Sequence, residues 1–330
     1  MFYTNVTRIK DFFIVGFPGL LPEHYGPVSA LLFVLFLAIA VGNIFILAFV
    51  KYEQSLHKPT YLIFCHLALC DFVFGCVTLP KIILKYWFDD SIISFYGCFA
   101  QMYFVHFLGA THSFILMVMA LDRFIAVCAP LRYTALFTNT TVSVLCGISW
   151  FMPITWMVGI VLDALALPYC NSNIILHCYC DHLSITGLGC ENVRRVQLVG
   201  LGLAMFSLLV PLGFIIFSYF VVIVAVIRMS SSEGRLRTMS TCMPQLLITF
   251  LYYMPRCFVY LANNVGFTFS APVRIVVVML YSLLPAAVNP IIYCFKTKDI
   301  KECLKKKFFT RKIKISTKNL SNPIQQCTIK

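Results

Sequence analysis

The sequence predicts an all-α membrane protein, a seven-transmembrane helix bundle followed by a short amphipathic eighth helix. Three observations carry this. Of 330 residues, 60% are apolar and 12% charged, about half the roughly 25% charge of an average soluble domain, too little polar surface for a water-soluble protein of this length. Seven stretches are long and apolar enough to cross about 30 Å of hydrocarbon, which takes about 20 residues of helix. The net charge of +13 is gathered at one end: from Lys296 onward eleven basic residues stand against two acidic ones, so this tail carries +9 and the preceding 295 residues +4. Charge beyond the last apolar stretch marks a juxtamembrane tail, not a nucleic-acid groove.

The seven spans run from Pro27 to Val50, Tyr61 to Leu84, Cys98 to Val127, Val142 to Leu162, Val196 to Ile227, Thr241 to Leu261 and Val273 to Phe295. The sixth is the most polar, with Pro244, Pro255, Arg256 and several tyrosines, which a helix face turned to the bundle interior tolerates. Pro211, Pro255, Pro285 and Pro290 each remove a backbone donor and predict bends. No cleavable signal peptide is expected, because Pro18 and Gly19 break the short apolar run before the first span. With the N-terminus outside, inner segments hold 18 Lys and Arg against 6 in outer ones, a balance set by the tail. The expected divisions are an extracellular N-terminus (1–26), a transmembrane domain (27–295) and a cytoplasmic amphipathic helix with basic tail (296–330), in the plasma membrane. Phe295, Ile300, Leu304, Phe308 and Phe309 share one face of that helix, among lysines suited to anionic lipid, and Cys303 is a candidate for palmitoylation. Of three glycosylation sequons, only that of Asn5 would be lumenal; Asn139 and Asn319 would be cytoplasmic.

Individual polar residues then demand explanation. Asp71 lies inside a span, where a charge costs at least about 2.5–3.5 kcal/mol, so it needs partners. Arg123 follows Cys98 by 25 positions, which at about 1.5 Å per residue puts the two at opposite membrane faces. Most cysteines fall in apolar runs and act as small hydrophobes. Those of the outer segment from Leu165 to Arg195, namely Cys170, Cys178, Cys180 and Cys190, face the oxidising side, where disulfides are expected. His177, Cys180, Asp181 and His182 read alternatively as zinc or copper ligands, but a bridged Cys180 offers no thiolate, so no metal is expected. HExxH, P-loop and G-x-S-x-G patterns are absent from the sequence, so neither an enzyme nor a cofactor is expected. A retinal-based pump would need a lysine between Pro272 and Phe295, and there is none; the inverted halves of a transporter are not visible.

Gly42-Asn43, Leu67-Ala68-Leu69-Cys70-Asp71, Asp122-Arg123 and Asn289-Pro290-Ile291-Ile292-Tyr293 resemble the rhodopsin-like G-protein-coupled receptors. A narrower set looks like the olfactory (odorant) receptors: Leu56-His57-Lys58-Pro59-Thr60-Tyr61, the run from Met119 to Cys128, Ser218-Tyr219, Met239-Ser240-Thr241-Cys242, and Pro285 before the NPIIY motif. Gly16-Phe17-Pro18-Gly19-Leu20 and His106 are similar to the class I, or fish-type, branch. The likeness covers Phe12 to Phe309.

The resemblance implies an odorant receptor that binds small molecules in the outer half of the bundle and activates a stimulatory heterotrimeric G protein, raising cAMP. The ligand positions it implies are His106, Gly109, Ala110, Leu203, Ser207, Tyr253, Tyr260 and Met279. The switch residues are Asp122 and Arg123, with Tyr219 and Tyr293 as partners of Arg123 in the active state, together with Asn289 and Pro290. Asn43 and Asn289 would surround Asp71, with water and a candidate sodium ion. The implied disulfides are Cys98–Cys180 and Cys170–Cys190; Cys178 is an extra thiol that could compete with Cys180. Two departures stand out. Asn264 occupies the position where some acid-sensing relatives have an arginine, which argues against a carboxylate ligand. His112 replaces a usual glutamate, which puts ion coordination beneath the pocket in question. A non-sensory receptor for a metabolite or steroid on the same scaffold is the alternative within this class.

Overall fold

The computed structural model describes residues 9–170, 172–264, 270–297 and 299–306. Seven long helices dominate: α1 (Tyr25–Tyr52), α2 (Pro59–Phe88), α3 (Phe95–Cys128), α4 (Asn139–Leu165), α5 (Val193–Ile227), α6 (Ser232–Asn264) and α7 (Ala271–Lys296). Six of them are long and apolar enough to span a membrane. The other, α6, has 33 residues, about 50 Å at 1.5 Å each, so length suffices and only its polar content sets it apart. Every helix overruns its predicted span, α6 most of all: Ser232–Ser240 extends it beyond the apolar run, because a helix need not stop where hydrocarbon does.

Helix α3 is the central post, packed against α2, α4, α5 and α6. Ser94 caps its start, accepting from Gly97 N at 3.2 Å, and Thr138 does the same for α4 through Thr141 N at 3.2 Å. On α1 the large apolar residues Leu31, Val34, Leu37, Val41, Ile44 and Phe45 are exposed along one helical stripe, the face such a bundle turns to lipid. Gly42, on the flank of that stripe, lets α7 approach: a Cβ there would stand 3.1 Å from Pro290 Cγ. Residues 299–306 form a further helical turn pair past α7, with Ile300 buried and Lys58 Nζ of the α1–α2 connection bonded to Asp299 Oδ2 at 2.7 Å. Phe308 and Phe309 lie outside the described residues, as do Asn5 and Asn319.

The outer face carries a sheet that nothing in the sequence pattern announces. β1 (Asp11–Ile14) pairs antiparallel with β2 (Ile92–Ser94), Phe12 opposite Ile93, and parallel with β3 (Ile174–Ile175), Phe13 opposite Ile174. Phe12 is fully buried against Phe95, Phe99 and Tyr169. Gly16 then turns with φ +77°, a left-handed conformation that glycine adopts without steric cost, and Phe17 N donates to the Tyr86 hydroxyl at 2.7 Å. The Gly16-Phe17 signature thus ties the N-terminal segment to α2 and to the outer loop.

Candidate functional site

Two disulfides fix the outer segment over the bundle, Cys98–Cys180 and Cys170–Cys190. Cys178 is a buried free thiol. Gln101 decides which cysteine reaches Cys98: less than one turn further along α3, its Oε1 accepts from Cys180 N at 2.9 Å while its Nε2 donates to Val77 O at 2.8 Å. The segment beyond Cys180 starts a one-turn helix, His182–Thr186, capped by Asp181 through Leu183 N at 3.2 Å.

Beneath this segment lies a cavity of about 570 Å³ between α3, α5, α6 and α7, within the range of small-molecule sites. His106 Nε2 stands 3.5 Å from Asp181 Oδ1. Burial alone would raise the Asp181 carboxyl, but His106, His177 and His182 around it, with the Leu183 N–H, hold it below the usual carboxylate range. His182 is pushed down to about 4 by burial and by His106, so its ring is neutral at physiological pH. It packs against Gly200 of α5, where an added Cβ would overlap the imidazole. His106, His177, Asp181 and His182 come together here, but Cys180 is committed to its disulfide, and no described group of three or more His, Cys, Asp or Glu is arranged to hold a metal.

His106, Gly109, Ala110 and Ser207 line the cavity. Leu203, Tyr253 and Met279 do not; Ala204, Tyr252 and Val278 take their places. The reason is rotational: one residue turns a helix by about 100°, enough to carry a side chain from the cavity into the packing. Tyr253 instead bonds the Ser113 hydroxyl at 2.6 Å. The Tyr260 side chain lies outside the described residues. Arg256, Arg274, Tyr281 and Ser282 also line the cavity and were not among the expected positions, although the charge of Arg256 inside a span was the signal that could have located it.

Under the cavity, Asp71 is almost fully buried. Asn289 Nδ2 donates to its Oδ2 at 2.7 Å, and His112 Nδ1 stands 3.1 Å from its Oδ1. Asn43 is not a partner, contrary to expectation: its Nδ2 donates to Ile39 O at 2.8 Å and Ala286 O at 2.9 Å, tying α1 to α7. Nor do the residues fit a sodium ion. A hard cation needs converging oxygens, whereas both carboxylate oxygens of Asp71 face side-chain nitrogens. His112 also stacks on Tyr252, ring centroids 4.3 Å apart, so the cavity wall touches the polar core directly. Leaving a buried polar group without its partner costs about 1–3 kcal/mol. We therefore expect His112→Leu to lower the unfolding temperature of the purified protein far less in an Asp71→Asn background. Equal losses in both backgrounds would show that the pair carries no coupling.

At the inner end Asp122 is fully buried and holds Arg123 through Nε at 2.9 Å and Nη2 at 2.5 Å. Thr60 accepts from Arg123 Nη2 at 3.0 Å, and the Tyr133 hydroxyl donates to Asp122 Oδ1 at 2.7 Å. Burial and the Asp122 charge push the Tyr133 hydroxyl up to about 12, so it keeps its proton and remains a donor. Gln245 of α6, with its nitrogen donating to Met119 O and its oxygen accepting from Arg123 Nε, both at 3.1 Å, latches α6 to α3. Tyr219 lies 3.4 Å from that amide, and Tyr293 is fully buried, stacked on Phe64 at 4.4 Å. Neither tyrosine bonds Arg123 in this conformation.

Comparison with known proteins accords with this geometry. The family profile described as "Olfactory receptor" matches residues 32–312. Human olfactory receptor 52N5 is 36% identical over 306 residues, spanning 90% of this chain and 92% of that protein. Rat olfactory receptor 51E2 is 34% identical over 296 residues, 88% of this chain and 90% of that protein. Among solved structures, squid rhodopsin superposes with a TM-score of 0.69 at 17% identity, covering 95% of this chain and 97% of the other, a likeness of fold.

Proposed function

Since the chain belongs to the olfactory receptor family of G-protein-coupled receptors, multi-pass membrane proteins and not enzymes, we propose that an odorant in the outer cavity controls an inner switch built on Asp122 and Arg123. The observation that carries this reading is the continuity of the two sites along α3 and α6. One wall of the cavity (His106, Gly109 and Ala110, with Tyr252) belongs to the same two helices that the Arg123–Gln245 contact joins below. A ligand shifts the balance only by its difference in affinity for two states of the bundle. In the active state α6 leaves α3, the Asp122–Arg123 pair opens, and Arg123 turns to the G protein with Tyr219 and Tyr293 as its new partners; Asn289 and Pro290 are the pivot of α7. The G protein is of the stimulatory, olfactory type, and the output is cAMP. The protein works in the plasma membrane, N-terminus outside and glycosylated at Asn5, with the basic helix after α7 on anionic lipid.

The test is a cAMP assay in cells expressing the full chain against volatile and water-soluble odorants. His106→Ala is expected to shift agonist potency about tenfold, the order of one lost polar contact of about 1.4 kcal/mol, without loss of surface expression. Unchanged potency for every agonist removes His106 from the ligand site.

A further inference from the structure

We propose that the cavity takes an organic anion and that Arg256, deep in its wall, holds the anion's carboxylate. This rests on reading the cavity as the receptor's ligand site. It departs from the expectation drawn from Asn264: eight residues of helix, about 12 Å, separate that outer position from Arg256, so the charged head seats towards the membrane centre.

The guanidinium is held ready. Its Cζ lies 3.9 Å from the Tyr252 ring centroid and 4.8 Å from that of Tyr281, and Nη1 donates to Tyr252 O at 2.7 Å. Two aromatic faces offset part of the cost of a cation at this depth and fix its plane. They leave the edge of the fork, which never loses its charge and keeps its N–H donors apart from the one given to Tyr252 O. Among the described residues no carboxylate stands within 4 Å of Arg256. A planar, pre-oriented fork without an acid partner matches a carboxylate in bidentate fashion.

The charge of the cavity points the same way. Arg256 and Arg274 line it against one acid, Asp181, and that acid already accepts from Leu183 N at 3.2 Å and stands 3.5 Å from His106. An amine would meet excess positive charge, and an alcohol would leave the guanidinium unanswered. Phe74, Val105, Leu208 and Val278 supply an apolar wall for the rest of the molecule.

The experiment uses the full-length receptor and two readouts, cAMP in cells and thermal unfolding of the purified protein. The probes are hexanoate and phenylacetate, with hexanol, hexanamide and hexylamine as matched compounds. The acids are expected to activate and stabilise; the neutral and cationic analogues are not. Truncating one side of a desolvated charge pair is worth on the order of 30-fold or more, so Arg256→Gln loses at least that in acid potency at equal surface expression. Arg256→Lys, which keeps the charge without the fork, falls between, and the exposed Arg274→Gln changes less. Acid and amide acting equally on the wild type, or acid potency unaltered in Arg256→Gln, overturns the proposal. Stabilisation by acids that depends on Arg256 but brings no cAMP upholds the anion site and contradicts the signalling reading. A cAMP response to the alcohol, with acids neither signalling nor stabilising, does the reverse. Silence of all probes in both readouts overturns the anion site.

Discussion

Cells expressing Arg123→Ala are expected to show no agonist-driven cAMP rise, with the ligand still stabilising the purified protein to the wild-type extent. The expectation follows from position. Arg123 lies at the inner end of α3 and the ligand cavity at the outer half, beyond His112 and Asp71, so the substitution leaves every cavity contact in place. It does remove the cation that answers the buried Asp122. An uncompensated buried carboxylate is costly, but Thr60 and the Tyr133 hydroxyl still donate to it, and the protein is expected to fold with reduced thermal stability. The resting contact is lost as well, so the latch to Gln245 opens without any group to receive the G protein. Surface labelling checks expression, and thermal unfolding with ligand checks the outer site. A ligand-driven cAMP rise that survives the substitution would mean that the signal leaves by another route.

The second large effect separates two cysteines that are two positions apart. Cys180→Ser is expected to abolish surface expression, and Cys178→Ser to leave it near the wild-type level. The Cys98–Cys180 bridge closes a loop of 82 residues, for which the chain-entropy account gives about 4.5 kcal/mol, a large part of the stability of an ordinary domain. Its loss also frees the outer segment that carries Asp181 and His182 over the cavity. Cys178 is buried with its thiol pushed well up by burial, so it is unreactive, and replacing sulfur with oxygen costs only the burial of one hydroxyl. Immunolabelling of intact cells reads both variants; equal losses would mean that Cys178 shares the bridge.

Much of the architecture was readable from the chain because its rule is simple: hydrocarbon demands about 20 apolar residues per crossing, and seven stretches obey. Even α6 was identifiable, since its polar residues made sense only facing a bundle interior. The outer sheet was not. Its strands have four, three and two residues, too short for an alternation to register, and their pairing joins Phe12 to Ile93 and Phe13 to Ile174 across most of the outer face. The cavity was legible as a set of helices but not to the residue, because Leu203, Tyr253 and Met279 differ from their cavity-facing neighbours by one position. The partners of Asp71 were half legible. Asn289 is where the motif implied, whereas Asn43 turns to a backbone carbonyl of α7, a choice set by the close approach of Gly42 and Pro290.

The central claim is that occupancy of the outer cavity opens the inner end of the bundle to a G protein. Nucleotide exchange on a purified stimulatory G protein, with the full-length receptor in lipid nanodiscs, measures it without a cell in between. Agonists are predicted to accelerate exchange in a saturable way, with potency shifted by His106→Ala and acceleration lost in Arg123→Ala. Exchange that stays at the basal rate while the same compounds stabilise the receptor would contradict the account.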